Sequence, residues 1–391
     1  MVDGLRFSVN QVKEAGRRLR GTIPLPESGK TDEIKEIFDI AHYWRNLHLL
    51  PMRSIRRTVQ ARARALGFDD ALTVARLKRM RSIRKKLARQ SRHLTQLQDL
   101  GGVRCIVDNI RDVSRMVDAL QTRSRHIVHD TNDYIEKPRS SGYRSVHIIF
   151  KFKAREAQKE CEGRRIEVQV RTRLQHAWAT AVEVIGTTRE EDMKASQGDI
   201  KWLRLFELMA SEMADMEGCP PVEGCLGREV RRSELKSLNA ELEAYETLNN
   251  LRFAFNEVGQ NPALRQVKNP LFLISYDNKS REVHVRQYSG VRKSTENYQL
   301  SEASGSVNTV LVEADRIEAV RQAFPNYFGD VELFTQCLHF AVEGKDAPQF
   351  KRPIRTKMPR RRELVSDPRD ILPGPKRKWV DPLKTKRTKH K

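Results

Sequence analysis

Ile166-Glu167-Val168-Gln169-Val170-Arg171-Thr172 alternates apolar and polar residues with period two. That places Ile166, Val168 and Val170 on one face of a strand and Glu167, Gln169 and Arg171 on the other. One face is fit for a core; the other sets a carboxylate, an amide and a guanidinium in a row. Upstream, Gly101-Gly102 leads into the short apolar run Val103-Arg104-Cys105-Ile106-Val107, and Val146-His147-Ile148-Ile149-Phe150 reads as a further strand. Helical spacing fills the intervals at 112–121, 173–186 and 199–216. Strands interleaved with helices predict an α/β (α+β) chain with a mixed β-sheet flanked by helices.

Ile34, Ile37, Phe38, Ala41 and Trp44 recur at helical spacing, so 31–60 reads as helix with a break at Pro51. Residues 69–92 read as a further helix, with Leu77, Met80, Ile83 and Leu87 on one side. Gly218-Cys219-Pro220-Pro221 opens a linker that runs to Gly227, and helix is expected over 231–257. Beyond it a smaller αβ unit is expected. It comprises a hairpin of 270–276 and 283–288 around Asp277-Asn278, a strand at 307–312, and helices at 315–324 and 330–343. The organisation is therefore a helical segment at 1–60, a main domain at 61–216, a linker and helix at 217–262, an αβ accessory unit at 263–345, and a tail at 346–391. Seven prolines and few large apolar residues make that tail an expected disordered segment.

The chain has 391 residues and a net charge of +22, and the charge is localised. Residues 76–92 carry nine cations and no acid, and residues 346–391 carry a net +11. Two polybasic blocks point to polyanionic partners, nucleotide phosphates or RNA. Without a long apolar run or an apolar leader, membrane and secretory roles are not expected. Five scattered cysteines suit a reducing, cytoplasmic compartment, and Cys219 and Cys225 lack the spacing of a zinc site.

Four clusters can carry chemistry. Lys78, Ser82 and Lys86 recur every four residues in the first basic block; two ammonium groups and a hydroxyl on one helix face suit a polyphosphate. A solvated basic helix has the same composition. Asp99, just before the Gly101-Gly102 strand, suits a cleft rim, as it suits a plain turn. The loop Pro138-Arg139-Ser140-Ser141-Gly142-Tyr143-Arg144-Ser145-Val146-His147 offers Tyr143 for base stacking and Arg139 for phosphate, or an ordinary surface loop. Finally, Glu167 and Asp99 both stand at strands, and two carboxylates converging on one cleft could hold Mg²⁺ with substrate phosphates.

In order and type these motifs resemble the synthetase domain of the RelA/SpoT family, over about residues 40–215. The resemblance implies a nucleotidyltransferase-like fold and an enzyme that moves pyrophosphate from ATP to the 3′-hydroxyl of a guanine nucleotide, with Mg²⁺. By the same resemblance, Arg76 and Arg104 flank the adenine, and Lys78, Ser82 and Lys86 bind the ATP phosphates with Arg79 nearby. Asp99 and Glu167 hold the metal and are the catalytic carboxylates, Glu167 also helping to deprotonate the attacking hydroxyl. Tyr143 stacks on the acceptor base, and Arg139, His147, Gln169 and Arg171 line the acceptor side.

Departures from the family bear on the acceptor. Arg139 and Ser141 stand where Lys and Asn are frequent. The helix after Arg171 reads Gln175-His176-Ala177-Trp178-Ala179-Thr180, with Glu183 as a candidate for the family's acidic position. The chain before Arg76 is too short for the hydrolase domain of the long members, and the one His-Asp pair, His129-Asp130, falls inside the match, so synthesis without hydrolysis is expected. Two other readings stand beside GTP or GDP as acceptor. One is transfer to the 3′ end of tRNA by a toxin whose C-terminal unit restrains it, as in phage-defence fusions. The other is a non-enzymatic basic RNA-binding protein. Tyr276, Tyr288, Tyr298 and Tyr327 could enter a nucleotide site, or could pack the hairpin core.

Overall fold

The computed structural model describes residues 5–20, 31–189, 191, 193, 197–253, 256–258, 270–277, 282–288, 290–304, 308–314, 319–321 and 331–346. Nine strands form one mixed sheet in the order β3-β4-β5-β2-β1-β9-β7-β8-β6. The strands are β1 Leu72–Leu77, β2 Gly101–Val107, β3 Ile127–Asp133, β4 Val146–Lys151, β5 Arg165–Thr172, β6 Asn256–Val258, β7 Leu271–Asp277, β8 Glu282–Tyr288 and β9 Asn308–Glu313. The pairs β2–β5 and β6–β8 are parallel and the remaining pairs antiparallel.

The period-two reading of β5 holds along the whole first half of the sheet. Ile166, Val168 and Val170 pack with Val103, Cys105 and Val107 of β2, Ala75 and Leu77 of β1, and Val146, Ile148 and Phe150 of β4. Helices α3 (Leu49–Ala65) and α5 (Ile110–Thr122) close this face through residues such as Ile55, Val59, Met116 and Leu120. The opposite face carries the polar residues, and α6 (Arg173–Thr188) and α7 (Ile200–Glu217) wall it. Strand β5 runs directly into α6 through a reciprocal cap: Thr172 Oγ1 accepts the Gln175 amide at 3.2 Å, and Gln175 Oε1 accepts the Thr172 amide at 3.1 Å.

The segment 69–92 is not one helix. Leu72–Leu77 is β1, and only Met80–Arg89 is helical, as α4. Leu77 fits the helical spacing of Met80, Ile83 and Leu87 but belongs to the sheet core, while the other three pack against α1 (Val9–Arg18) and α2 (Thr31–Asn46). Lys78 is therefore off the helix that carries Ser82 and Lys86. Pro51 lies in the first turn of α3, where its missing amide costs nothing, and the break falls at Leu47 and His48 instead. The helix expected over 231–257 divides at Glu243, whose left-handed φ of 45° separates α8 (Arg228–Leu242) from α9 (Ala244–Phe253). Its expected end, at Asn256–Val258, is β6.

The C-terminal strands continue the same sheet. β9 lies antiparallel to β1, with Arg76 opposite Val312, and the β7–β8 hairpin packs beyond it. Helix α10 (Val291–Ser304) covers β7 and β9 through Tyr298, Leu271, Leu273 and Leu311. Helix α11 (Glu332–Val342) joins the core of α6 to α9, where Phe334 and Leu338 meet Trp178, Phe206, Leu235 and Leu248. The turn residue Asn278, Tyr327, most of 315–324 and the tail from 347 lie outside the described residues. Among those described, no helix is long and apolar enough to cross a membrane.

Candidate active site

A cleft of about 880 Å³ opens on the polar face of β1 to β5. Arg76, Lys78, Lys86, Asp99, Arg104, Arg139, Tyr143, His147, Glu167, Gln169 and Arg171 all line it. Arg79 and Ser82 do not; Arg79 holds the N-cap position of α4 and Ser82 lies in its first turn.

At one end, Asp99 gathers both lysines. Its Oδ2 accepts from Lys78 Nζ at 2.9 Å and from Lys86 Nζ at 2.7 Å. Burial alone would raise this carboxyl, but the two ammonium groups outweigh it and hold Asp99 well below the ordinary carboxylate range. Its Oδ1 is buried with no hydrogen-bond partner. Lys78 reaches Asp99 from the exit of β1 and Lys86 from the second turn of α4, so the pair converges from two elements.

Across Gly102, Glu167 anchors the other end. Gly102 stands in register between Arg76 and Glu167. A Cβ built there would meet nothing nearer than the Arg76 carbonyl at 3.9 Å, so the floor between the two ends stays open for a ligand. Glu167 Oε2 accepts from Gln169 Nε2 at 2.8 Å, and Oε1 lies 3.0 Å from His147 Nδ1. His147 Nε2 is in turn 2.8 Å from the Tyr143 hydroxyl. The result is a carboxylate–imidazole–phenol chain. Burial pushes Glu167 up, but His147 more than offsets it and the carboxyl sits below its ordinary value; burial raises the Tyr143 phenol.

The loop that presents Tyr143 is tightly built. Gly142 has φ +90°, and a side chain there would strike Ala210 at 2.3 Å. Ser145 Oγ donates to the Val170 carbonyl at 3.2 Å, tying the loop to β5. Tyr134, which drew no notice in the sequence, also lines the cleft. The Arg139 guanidinium stacks 4.5 Å over its ring and donates to its hydroxyl at 3.0 Å. Its position just before the Pro138-Arg139 loop was the available signal. Trp178, Val182, Met193, Ile200 and Leu203 add an apolar wall from α6, α7 and the connection between them, which no local motif announces.

Between the ends, Arg76, Arg104 and Arg171 share the floor on three strands. Burial and the neighbouring charges of Arg171 and Arg76 depress Arg104, and Glu183 of α6 partly compensates it. Arg171 donates to His176 Nδ1 at 2.7 Å. Like charges held together in a partly dry cleft favour a multivalent anion.

Residues 75–185 match the region found in RelA / SpoT proteins. Those residues carry a RelA/SpoT domain. Among curated relatives, the chain is 27% identical to a GTP pyrophosphokinase of Photobacterium angustum over 147 residues, 36% of this chain and 18% of that protein. It is 31% identical to the GTP pyrophosphokinase YwaC of Bacillus subtilis over 114 residues, 28% of this chain and 54% of that one. The chain thus spans about a fifth of the long relatives and about half of the short one. Among solved structures, the small alarmone synthetase 1 of Bacillus subtilis bound to its product pppGpp aligns at 19% identity and TM-score 0.40, over 48% of this chain and 94% of that one. The RelA/SpoT region begins in β1 and ends in α6, so it takes in both carboxylate ends of the cleft.

Neither Tyr288 nor Tyr298 of the C-terminal unit lines this cleft: Tyr298, on α10, is fully buried against β7 and β9, and Tyr288 packs at the edge of the same cluster. The Tyr276 side chain and Tyr327 lie outside the described residues.

Proposed function

We propose that this protein is an ATP-dependent pyrophosphokinase that transfers the β,γ-diphosphate of ATP to the 3′-hydroxyl of GTP or GDP. The observation that carries this reading is the convergence of Lys78 and Lys86 on Asp99, one glycine away from the Glu167–His147–Tyr143 chain. The lysine end supplies point charges for a polyphosphate. The floor guanidiniums Arg76 and Arg104 supply planar cations for the donor base. Tyr143 and Tyr134, with Arg139, supply an aromatic face and a phosphate fork for the acceptor.

The donor set also fits Mg²⁺. Asp99 Oδ1 is a buried oxygen without a partner, and Glu167 is the second carboxylate on the adjoining strand. Magnesium commonly takes one or two protein carboxylates and completes its shell with phosphate and water. Bound there, the ion would neutralise charge on the transferred diphosphate. Glu167, ionised at neutral pH and steadied by His147 and Gln169, takes the proton of the attacking 3′-oxygen. That oxygen attacks the β-phosphorus in line and AMP departs. Lys78 and Lys86 hold the diphosphate in place for the displacement.

A second acceptor, the 3′ end of tRNA, is favoured by one observation: the net +11 of residues 346–391, which suits RNA by counterion release. One assay separates the two. Full-length protein is incubated with Mg²⁺ and γ-labelled ATP, with GDP, GTP or bulk tRNA in parallel. Label is expected in the guanine nucleotide. Label in tRNA alone replaces the acceptor, and label in neither, with Asp99→Asn indistinguishable from the wild type, sinks the enzyme reading.

A further inference from the structure

The N-terminus of α4, the helix that carries Lys86, is held by the C-terminal unit. On α10, Ser294, Tyr298 and Glu302 recur every four residues and form one face. Glu302 uses both carboxylate oxygens. Oε1 accepts the Met80 amide, the first of α4, at 2.8 Å. Oε2 accepts from Arg45 Nη1 at 2.7 Å. The N-cap residue itself, Arg79, makes no side-chain cap bond. A glutamate from over two hundred residues downstream does that work.

Arg45 ties the contact to the cleft. It belongs to α2, and its side chain is wholly buried. The same Nη1 reaches the Lys78 carbonyl at 3.4 Å, and Nη2 lies 3.0 Å from His42 Nδ1. The guanidinium stacks 4.7 Å from the centre of the Tyr298 ring. Glu302 therefore fixes the junction between β1 and α4 twice: once through the Met80 amide, and once through Arg45 and the Lys78 carbonyl. Lys78 and Lys86 leave this junction in two directions and meet at Asp99. Neither Arg45 nor Glu302 lines the cleft, so neither is placed to touch a phosphate.

We propose that Glu302 and Tyr298 are positioning residues for the donor site: the C-terminal unit sets the spacing of the two lysines and thereby the affinity for the ATP phosphates. This rests on the donor reading of Lys78 and Lys86 given above. A helix whose first turn loses a carboxylate and whose buried arginine loses its counter-charge shifts or frays there, and the lysine pair loosens with it.

The test uses the full chain, with α,β-methylene ATP as the probe in calorimetry and steady-state transfer as a second readout. Glu302→Ala is expected to weaken analogue binding and raise the KM for ATP about tenfold, with the acceptor KM within about twofold. Glu302→Gln keeps an oxygen for the Met80 amide but not the charge for Arg45, so it is expected to fall between, about threefold. Glu296→Ala, on the exposed side of the same helix, is the control and leaves all values unchanged. A merely structural role would lower the melting temperature of Glu302→Gln without separating the two KM values. Unchanged or tighter analogue binding by the Glu302 variants, with Lys86→Ala weak, overturns the positioning role alone. Lys86→Ala binding as tightly as the wild type overturns the donor site as well. If Glu302→Ala does not fold, Glu302→Gln and Tyr298→Leu carry the same comparison.

Discussion

The floor of the cleft and the seam between β1 and the C-terminal strands bury arginines in opposite company. On the floor, burial depresses Arg104 and Arg171, and neighbouring guanidiniums add to it, Arg171 and Arg76 acting on Arg104 and Arg76 on Arg171. At the seam each buried guanidinium meets a carboxylate. Arg45 pairs with Glu302 at 2.7 Å, and buried Glu313 at the end of β9 meets Arg53 at 2.8 Å and Arg56 at 3.5 Å. The seam gives every guanidinium a carboxylate partner and holds two parts of a sheet together. The floor holds like charges together that Glu183 only partly offsets, and an incoming polyanion would relieve the remainder. Burial alone does not distinguish a binding surface from a structural contact; the sign of the neighbours does.

The sharpest break of this contrast comes at the cleft. Glu167→Gln keeps the shape but removes the base, and is expected to cut transfer by on the order of 10³-fold with the melting temperature little changed, as transfer assays and calorimetry would show. At the seam the outcome should invert. Glu313→Ala leaves Arg53 and Arg56 facing an empty carboxylate site and is expected to destabilise the chain by about 3–5 kcal/mol, read by urea unfolding. A chain ended near Gly218 removes Glu302 and Glu313 together, and is expected to unfold rather than to gain activity. Arg104→Met sharpens the comparison from the other side. Removing one of three mutually repelling cations should raise stability by roughly 1 kcal/mol while weakening ATP binding tenfold or more. A destabilised Arg104→Met would mean that the floor is already balanced.

Glu217, at the end of α7, supplies the smallest effect. It accepts from Gln175 at 3.2 Å, and burial pushes its carboxyl up to about 7. A carboxyl raised in the folded state is protonated in both states at acid pH. Stability then falls as pH rises from about 4.5, where the unfolded chain ionises, to about 7. Glu217→Gln should therefore melt on the order of 5 °C higher at pH 8 and unchanged at pH 4. Thermal scans at the two pH values decide it.

Period two in Ile166 to Arg171 was enough to place a polar strand face over a cleft, because a two-residue repeat leaves no other choice of faces. Lys78 and Lys86 stood out as like residues at close spacing, and Asp99 as an acid ahead of a strand; the structure brings the three together. The element that carries Lys78 was not: Leu77 satisfies a helical repeat and a strand equally, and only the partners of β1 decide between them. Tyr134 and the α6–α7 wall were hidden because aromatic and aliphatic residues have the same signature in a core as in a site. Glu302 was beyond reach for a different reason. Its partners, Met80 and Arg45, are more than two hundred residues away, and no local pattern records a contact of that range.

The pairing of Arg76 with Val312 also has a consequence in time. A ribosome adding ~5–20 residues per second releases β9 roughly ten seconds or more after β1. Until then β1 is an edge strand, its last register unfilled, and α4 lacks its carboxylate cap. The nascent chain thus exposes its lysine-rich segment before it can complete the cleft. The finished cleft arrives with β9, so a prematurely ended translation product carries the basic segment without it.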